Sequence, residues 1–171
     1  GGRDSVFYAI DMETRDLTWN FEAGGDISGT PALENDRVYF GSNNGKIYSL
    51  NRFTGEKIWE FDTDGAMFSS PAIHENSLFC GSTDSTLYCL NAETGENVWS
   101  FKTEGFIYSS PAVANGRVYF GCYDSYLYAL DTDTGEQIWR YNLGAIITAS
   151  PAIYADLLVI GNNIGRIFAF R

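Results

Sequence analysis

Positive charge is what this sequence has least of. Its 171 residues carry 11 Lys and Arg against 22 Asp and Glu, a formal net charge of −11. Lys46, Lys57 and Lys102 are the only lysines, and His74 is the only histidine. Such a surface repels a phosphate backbone, so nucleic acid is not an expected partner. Anionic membrane surfaces are disfavoured for the same reason. Long apolar runs are also missing: stretches such as Leu157-Leu158-Val159-Ile160 are far too short to span a bilayer, so no transmembrane segment is expected. No basic segment followed by an apolar stretch opens the sequence, so a secretory leader is expected to be absent or already removed. No segment has helical periodicity, which excludes helical bundles and helical solenoids.

Cysteine is sparse and unpatterned. Cys80, Cys89 and Cys122 are odd in number and lack metal-ligand spacing. Cys89 stands where Ala9, Ser49 and Ala129 stand one repeat away, and Cys80 where Phe40 and Phe120 stand. Buried structural thiols are therefore expected.

What is present is repetition. Trp19, Trp59, Trp99 and Trp139 lie 40 residues apart, and so do Pro31, Pro71, Pro111 and Pro151, each followed by alanine. Gly1, Gly41, Gly81, Gly121 and Gly161 keep the same period, and no insertion interrupts it. The repeats run 1–40, 41–80, 81–120 and 121–160, with a partial copy at 161–171. Each copy reads as four short strands. In the third, strand A is expected over Ile107–Val113, strand B over Arg117–Gly121, strand C over Tyr126–Leu130 and strand D over Gln137–Tyr141. Ala114-Asn115-Gly116 and Thr134-Gly135 supply the positive φ that tight hairpins require. Asp131, like Asp11, Asn51 and Asn91, can fold its side chain back onto its turn. Strands B and C are almost continuously apolar, as in a sheet covered on both faces. A four-stranded repeat of this length is the size of a β-propeller blade.

The segment Ala129-Leu130-Asp131-Thr132-Asp133-Thr134-Gly135-Glu136-Gln137-Ile138-Trp139 fits the pattern A-x-D-x-x-T-G-x-x-x-W. It resembles the pyrroloquinoline-quinone-type (PQQ-like) propeller repeat, found also in the propeller lipoprotein of the bacterial outer-membrane assembly machine. The resemblance covers the whole chain: Asn51, Thr54, Gly55 and Trp59 keep the pattern, as do Asn91, Thr94, Gly95 and Trp99. Arg15 departs from it where the turn glycine belongs, so that hairpin is expected to be strained or differently shaped. The resemblance implies a structural role for Trp19, Trp59, Trp99 and Trp139 against the neighbouring blade. It also implies rings of seven or eight blades and a periplasmic or extracellular setting. The strand count adds to this: four A, four B and four D strands but five C strands, an all-β propeller segment forming an incomplete, half ring. Such an open arc is expected to self-associate, because it leaves blade faces uncovered.

No catalytic constellation is visible. The quinone-dependent dehydrogenases that share the repeat carry adjacent cysteines and a calcium site, and this chain has no Cys-Cys pair. Asp131, Asp133 and Glu136 look like a carboxylate cluster, but every copy is polar there, so a repeating turn explains them. His74 occupies a turn position filled elsewhere by Glu34, Ala114 and Tyr154, a poor place for a general base. No phosphate loop, nucleophile elbow or zinc spacing occurs. The expectation is a non-catalytic scaffold, without cofactor, that binds protein or peptide. The resemblance leaves two alternatives: a fragment of a PQQ-dependent dehydrogenase with its quinone and calcium, or the sensor domain of a larger receptor or kinase.

Positions identical in all copies serve the blade, so function is expected where copies differ. The D–A and B–C connections emerge on one face, bearing Asp26, Ala66, Phe106 and Ile146 from one set and Asp4, Asn43, Asn44, Asp84, Tyr123 and Asp124 from the other. Phe68, Phe106, Tyr108, Tyr123 and Tyr126 concentrate aromatic surface there, ringed by acids, as docking sites do. The same residues could instead fill the axial channel or the blade seams.

Overall fold

The computed structural model describes residues 2–171. Strands β1 (Val6–Ile10) and β2 (Leu17–Glu22) form a two-stranded sheet. The first full blade is β3 (Ala32–Glu34), β4 (Arg37–Ser42), β5 (Lys46–Asn51) and β6 (Lys57–Asp62). The second is β7 (Ala72–His74), β8 (Ser77–Gly81), β9 (Thr86–Asn91) and β10 (Asn97–Lys102). The third is β11 (Ala112–Ala114), β12 (Arg117–Gly121), β13 (Tyr126–Asp131) and β14 (Gln137–Asn142). A three-stranded sheet of β15 (Ala152–Tyr154), β16 (Leu157–Gly161) and β17 (Ile167–Phe170) ends the chain.

All pairings are antiparallel between neighbours in sequence. Successive inner strands approach one another, β3 to β7, β7 to β11 and β11 to β15, so the sheets stand side by side around an axis as an open arc. Among the described residues no helix is long and apolar enough to cross a membrane.

The core lies in the seams, which is why strands B and C read as apolar runs. Phe79, Leu87 and Cys89 of the second blade pack against Val118, Phe120 and Tyr128 of the third. Tyr39, Ile47 and Trp59 meet Leu78, Cys80 and Leu90 across the previous seam. The outer D strands alternate at least part-buried positions with exposed ones, as expected for a sheet edge facing water.

The inner strand is shorter than the sequence suggested. In the third blade it spans only Ala112–Ala114, because the residues before it spend their amides elsewhere. Ile107 N–H donates to the Ser82 carbonyl (3.1 Å), Ser110 N–H donates to the Ser150 hydroxyl (2.9 Å), and Pro111 has no N–H. The Ser110 bond belongs to a relay: Thr30 N–H donates to Ser70 Oγ (2.8 Å) and Ser70 N–H to Ser110 Oγ (2.9 Å). Each step links residues 40 apart, so the residue before each proline ties one blade to the next.

The C–D hairpins are alike in all copies. Oδ1 of Asp11, Asn51, Asn91 and Asp131 accepts the amides of the residues two and three positions on, at 2.8–3.1 Å. Arg15 keeps that shape, with φ 66° against 75° for Gly55, and its amide donates to Asp11 O at 2.9 Å. The hairpin is therefore not reshaped; the arginine is held in the left-handed region, where a side chain costs about 1–2 kcal/mol.

Candidate aromatic loop face

The two sets of connections on the candidate face are stitched together by the backbone. Asn43 N–H donates to Asp26 O (2.8 Å), Thr83 N–H to Ala66 O (3.1 Å), Tyr123 N–H to Phe106 O (3.0 Å) and Asn163 N–H to Ile146 O (3.0 Å). Gly105 allows the close approach: a Cβ there would stand 2.6 Å from Asp124 N. The scaffold of the face is thus constant, and its side chains vary.

Two facing positions in each copy show the variation most clearly. In the first copy Asn43 Nδ2 donates to Ser28 Oγ (3.4 Å), and in the last Thr148 Oγ1 donates to Asn163 Oδ1 (2.8 Å). In the third copy the same two positions are Tyr108 and Tyr123, with ring centroids 5.0 Å apart. Phe68 packs on Tyr108 at 5.0 Å, and Phe106 lies 6.0 Å from Tyr123 and 6.4 Å from Tyr108. Four aromatics therefore form one continuous patch, with Phe106 the most open at 47% exposure. A shallow cavity of about 290 Å³ at its edge is lined by Ser85, Glu104, Gly105, Phe106, Tyr123 and Asp124.

Tyr126 does not join this patch. It begins β13, packs on the core between the second and third blades, and lies 6.1 Å from Tyr128. The Arg140 guanidinium covers its ring at 4.4 Å from the centroid. Strand alternation turns Tyr126 to the same face as Tyr128, toward the seam.

The acids around the patch divide into two kinds. Asp124 accepts the Tyr126 amide (3.0 Å) and the Tyr128 hydroxyl (2.6 Å). Asp84 accepts the Thr86 amide (2.8 Å), the Tyr88 hydroxyl (2.7 Å) and the Asp64 amide (3.2 Å). Asp4 accepts the Tyr8 hydroxyl in the same way (2.7 Å), whereas Asn44 Nδ2 donates to the Tyr48 oxygen (2.9 Å), whose hydroxyl goes to the Ala23 carbonyl. Burial, and then the Asp84 bond, push the Tyr88 phenol up to about 12. Burial and the Asp124 bond raise that of Tyr128 as well. These carboxylates brace their own blades. Glu104, by contrast, is exposed and makes no ion pair among the described residues.

The pairing of each turn acid with a tyrosine four residues on was missed in the sequence, although its 40-residue recurrence was there to be seen. A second set of contacts joins neighbouring blades. The carbonyl of Ala92 accepts Trp59 Nε1 (3.0 Å), the Tyr39 hydroxyl (3.2 Å) and Arg37 Nη1 (3.2 Å), all from the preceding blade. Trp19 Nε1 donates likewise to Arg52 O (3.0 Å) and Trp99 Nε1 to Thr132 O (2.9 Å). Trp139 instead stacks on Phe170, with centroids 6.0 Å apart.

Chemistry at the remaining titratable groups is limited. Among the described residues no three His, Cys, Asp or Glu side chains are grouped to hold a metal ion. Cys80, Cys89 and Cys122 are free buried thiols, and burial pushes the latter two up to about 11. Cys80 belongs to a different seam from Cys89 and Cys122. His74 ends β7 with its side chain 45% exposed, its closest acidic oxygen Glu75 Oε1 at 3.9 Å.

The family model described as outer membrane protein assembly factor BamB matches residues 2–87 and 69–171. This chain belongs to that PQQ-like propeller family. Among solved structures it is similar to BamB from Moraxella catarrhalis, with a TM-score of 0.87 and 20% identity over 99% of this chain and 56% of that one. It is similar also to the computationally designed Ika4 protein, with a TM-score of 0.78 and 19% identity over 86% of this chain and 91% of that one. A europium-containing methanol dehydrogenase matches with a TM-score of 0.82 and 13% identity, over 96% of this chain and 45% of that one. No curated protein matches. The chain spans about half the length of the Moraxella protein. At these identities the likenesses establish the fold, and the fold hosts both assembly factors and dehydrogenases.

Proposed function

We propose that this chain is a non-catalytic propeller scaffold that docks a protein or peptide on the loop face bearing Phe68, Phe106, Tyr108 and Tyr123. The observation that supports it is a difference between copies on one scaffold. Where Ser28–Asn43 and Thr148–Asn163 are joined by hydrogen bonds, Tyr108 and Tyr123 place aromatic surface, and Phe68 and Phe106 extend it. Aromatic surface with a polar rim is what protein interfaces concentrate. The name of the family model, an assembly factor, agrees with a partner of this kind.

Repeat-guided exchange tests the proposal. Phe106→Ala, Tyr108→Thr and Tyr123→Asn install residues that Ala66, Thr148 and Asn163 already provide at equivalent places, so the blade is expected to fold. Peptides selected from a displayed random library on the wild-type chain should lose binding to the triple variant while its melting temperature holds. Equal binding to both proteins overturns the docking face.

Self-association through the open ends is a second part of the proposal. Ile10 and Leu17 are exposed at one end (60% and 53%), as are Ile164 and Ile167 at the other (60% and 77%). Sedimentation should show concentration-dependent dimers; a monomer throughout contradicts it.

A further inference from the structure

The cavity beside Phe106 carries the proposed docking face one step further, to the chemistry of what docks there. We propose that it receives a cationic side chain, arginine or lysine, carried on an extended segment of the partner; this rests on the docking face itself being correct.

The lining sets the sign of the charge. Glu104 and Asp124 are the ionisable groups of the cavity, and Phe106 and Tyr123 are its aromatic walls, 6.0 Å apart at their centroids. The face of an aromatic ring carries the negative side of its quadrupole and attracts a cation within about 6 Å. Asp124 spends two acceptor positions on Tyr126 and Tyr128; an ionised carboxylate has about four. Glu104 spends none on a base among the described residues.

Arg140 lies close enough to Asp124 for the two charges to attract, so Glu104 is the cavity acid that has no ion-pair partner among the described residues. None of the four D–A connections, 23–31, 63–71, 103–111 and 143–151, contains Lys, Arg or His. The nearby base Lys102 directs its ammonium to the Asp84 carbonyl and to Thr86 Oγ1. The net charge of −11 adds a long-range field of the same sign. The molecule already uses the geometry elsewhere: Arg140 lies 4.4 Å over the Tyr126 ring and Arg52 4.6 Å over Phe53. A guanidinium flat against Phe106 or Tyr123 would bring its edge N–H groups to Glu104, the arrangement in which arginine gains both stacking and a forked carboxylate pair. The strip Tyr123–Tyr108–Phe68 runs on from the cavity, so apolar residues beside the cation have surface to cover, and an extended peptide fits better than a free amine.

The test uses the whole chain and two synthetic peptides, identical except that one has arginine flanked by leucines and the other citrulline in its place. Titrations are followed by amide chemical shifts. The arginine peptide should bind roughly tenfold more tightly, the scale of a charge-assisted bond. Glu104→Gln should remove most of that advantage without affecting the citrulline peptide, and Phe106→Ala should weaken the arginine peptide about fivefold. Equal affinities for both peptides, each still lost in Phe106→Ala, overturn the cation and leave the docking face standing. Shifts absent from residues 104–108 and 123–125 with either peptide overturn both.

Discussion

Gly95 gives the most direct handle on what holds one blade to the next. It sits at φ 76° in the C–D hairpin of the second blade, with its amide donating to Asn91 O at 2.8 Å. A Cβ at this position would lie 2.6 Å from Cδ2 and 2.8 Å from Cε3 of Trp59, whose indole donates to the Ala92 carbonyl of the same hairpin. Gly95→Ala therefore incurs two costs. The left-handed backbone costs an alanine about 1–2 kcal/mol. The overlap with a buried ring adds about 1–3 kcal/mol of overpacking. Gly116 provides the control, because it has φ 68° and a Cβ there would meet nothing within 4 Å. Gly116→Ala should cost the backbone part alone, about 1–2 kcal/mol. The two variants are compared by urea denaturation followed by far-ultraviolet circular dichroism, and by thermal melting. Gly95→Ala should melt lower than Gly116→Ala by roughly 2–12 °C, given about 2–4 °C per kcal/mol for a chain of this size. Equal losses would refute the idea that the Trp59 contact against this hairpin stabilises the seam.

The relay before the prolines predicts that Ser110→Ala, which leaves the Ser70 amide without its hydroxyl acceptor, destabilises the chain by about 1–3 kcal/mol in the same urea assay. Asp131 is held below its ordinary value of 3.8 by the Thr134 and Asp133 amides. Its stabilisation is therefore present above that value and lost as pH falls through the lower folded value. Asn51 and Asn91 make the same turn with a neutral acceptor, so Asp131→Asn should fold and show a shallower loss of stability in acid, read from melting temperatures below about pH 4. The cysteines should not react with a thiol reagent at about pH 8 in the folded chain and should all react once it is unfolded, since burial raises every one of them. Fast labelling of the native protein would contradict the buried placement.

Much of the fold was legible in the sequence because a propeller repeats its physics. A tryptophan and a proline recurring every 40 residues mark the seam and the inner strand in each copy, and Gly55, Gly95 and Gly135 mark three of the four C–D hairpins. The apolar B and C strands announced a sheet covered on both faces. Strand A was overread because Ile107 and Tyr108 lead into it without a turn signal, while the amides of Ile107 and Ser110 serve the previous turn and the next blade. Arg15 looked like a break in the pattern, but Asp11 holds the turn through its side chain, and that bond does not need glycine.

The candidate face was half legible. Differences between copies located Phe68, Phe106, Tyr108 and Tyr123, since a position free to vary on a fixed scaffold is not serving that scaffold. Tyr126 lies apart from them because it opens β13 and shares the Tyr128 side, whereas Tyr123 sits in the connection before that strand. The acids were harder. Asp84 and Asp124 looked available in the sequence, and only the geometry shows each one taking a tyrosine hydroxyl of its own blade.

The central claim is that partners meet the chain at the aromatic loop face. Amide shift mapping with a library-selected peptide on the isotope-labelled chain tests it most directly. The account predicts shifts confined to residues 63–71, 103–111 and 123–126. Shifts centred on the outer strands β6, β10 and β14, with the loop face unmoved, would contradict it.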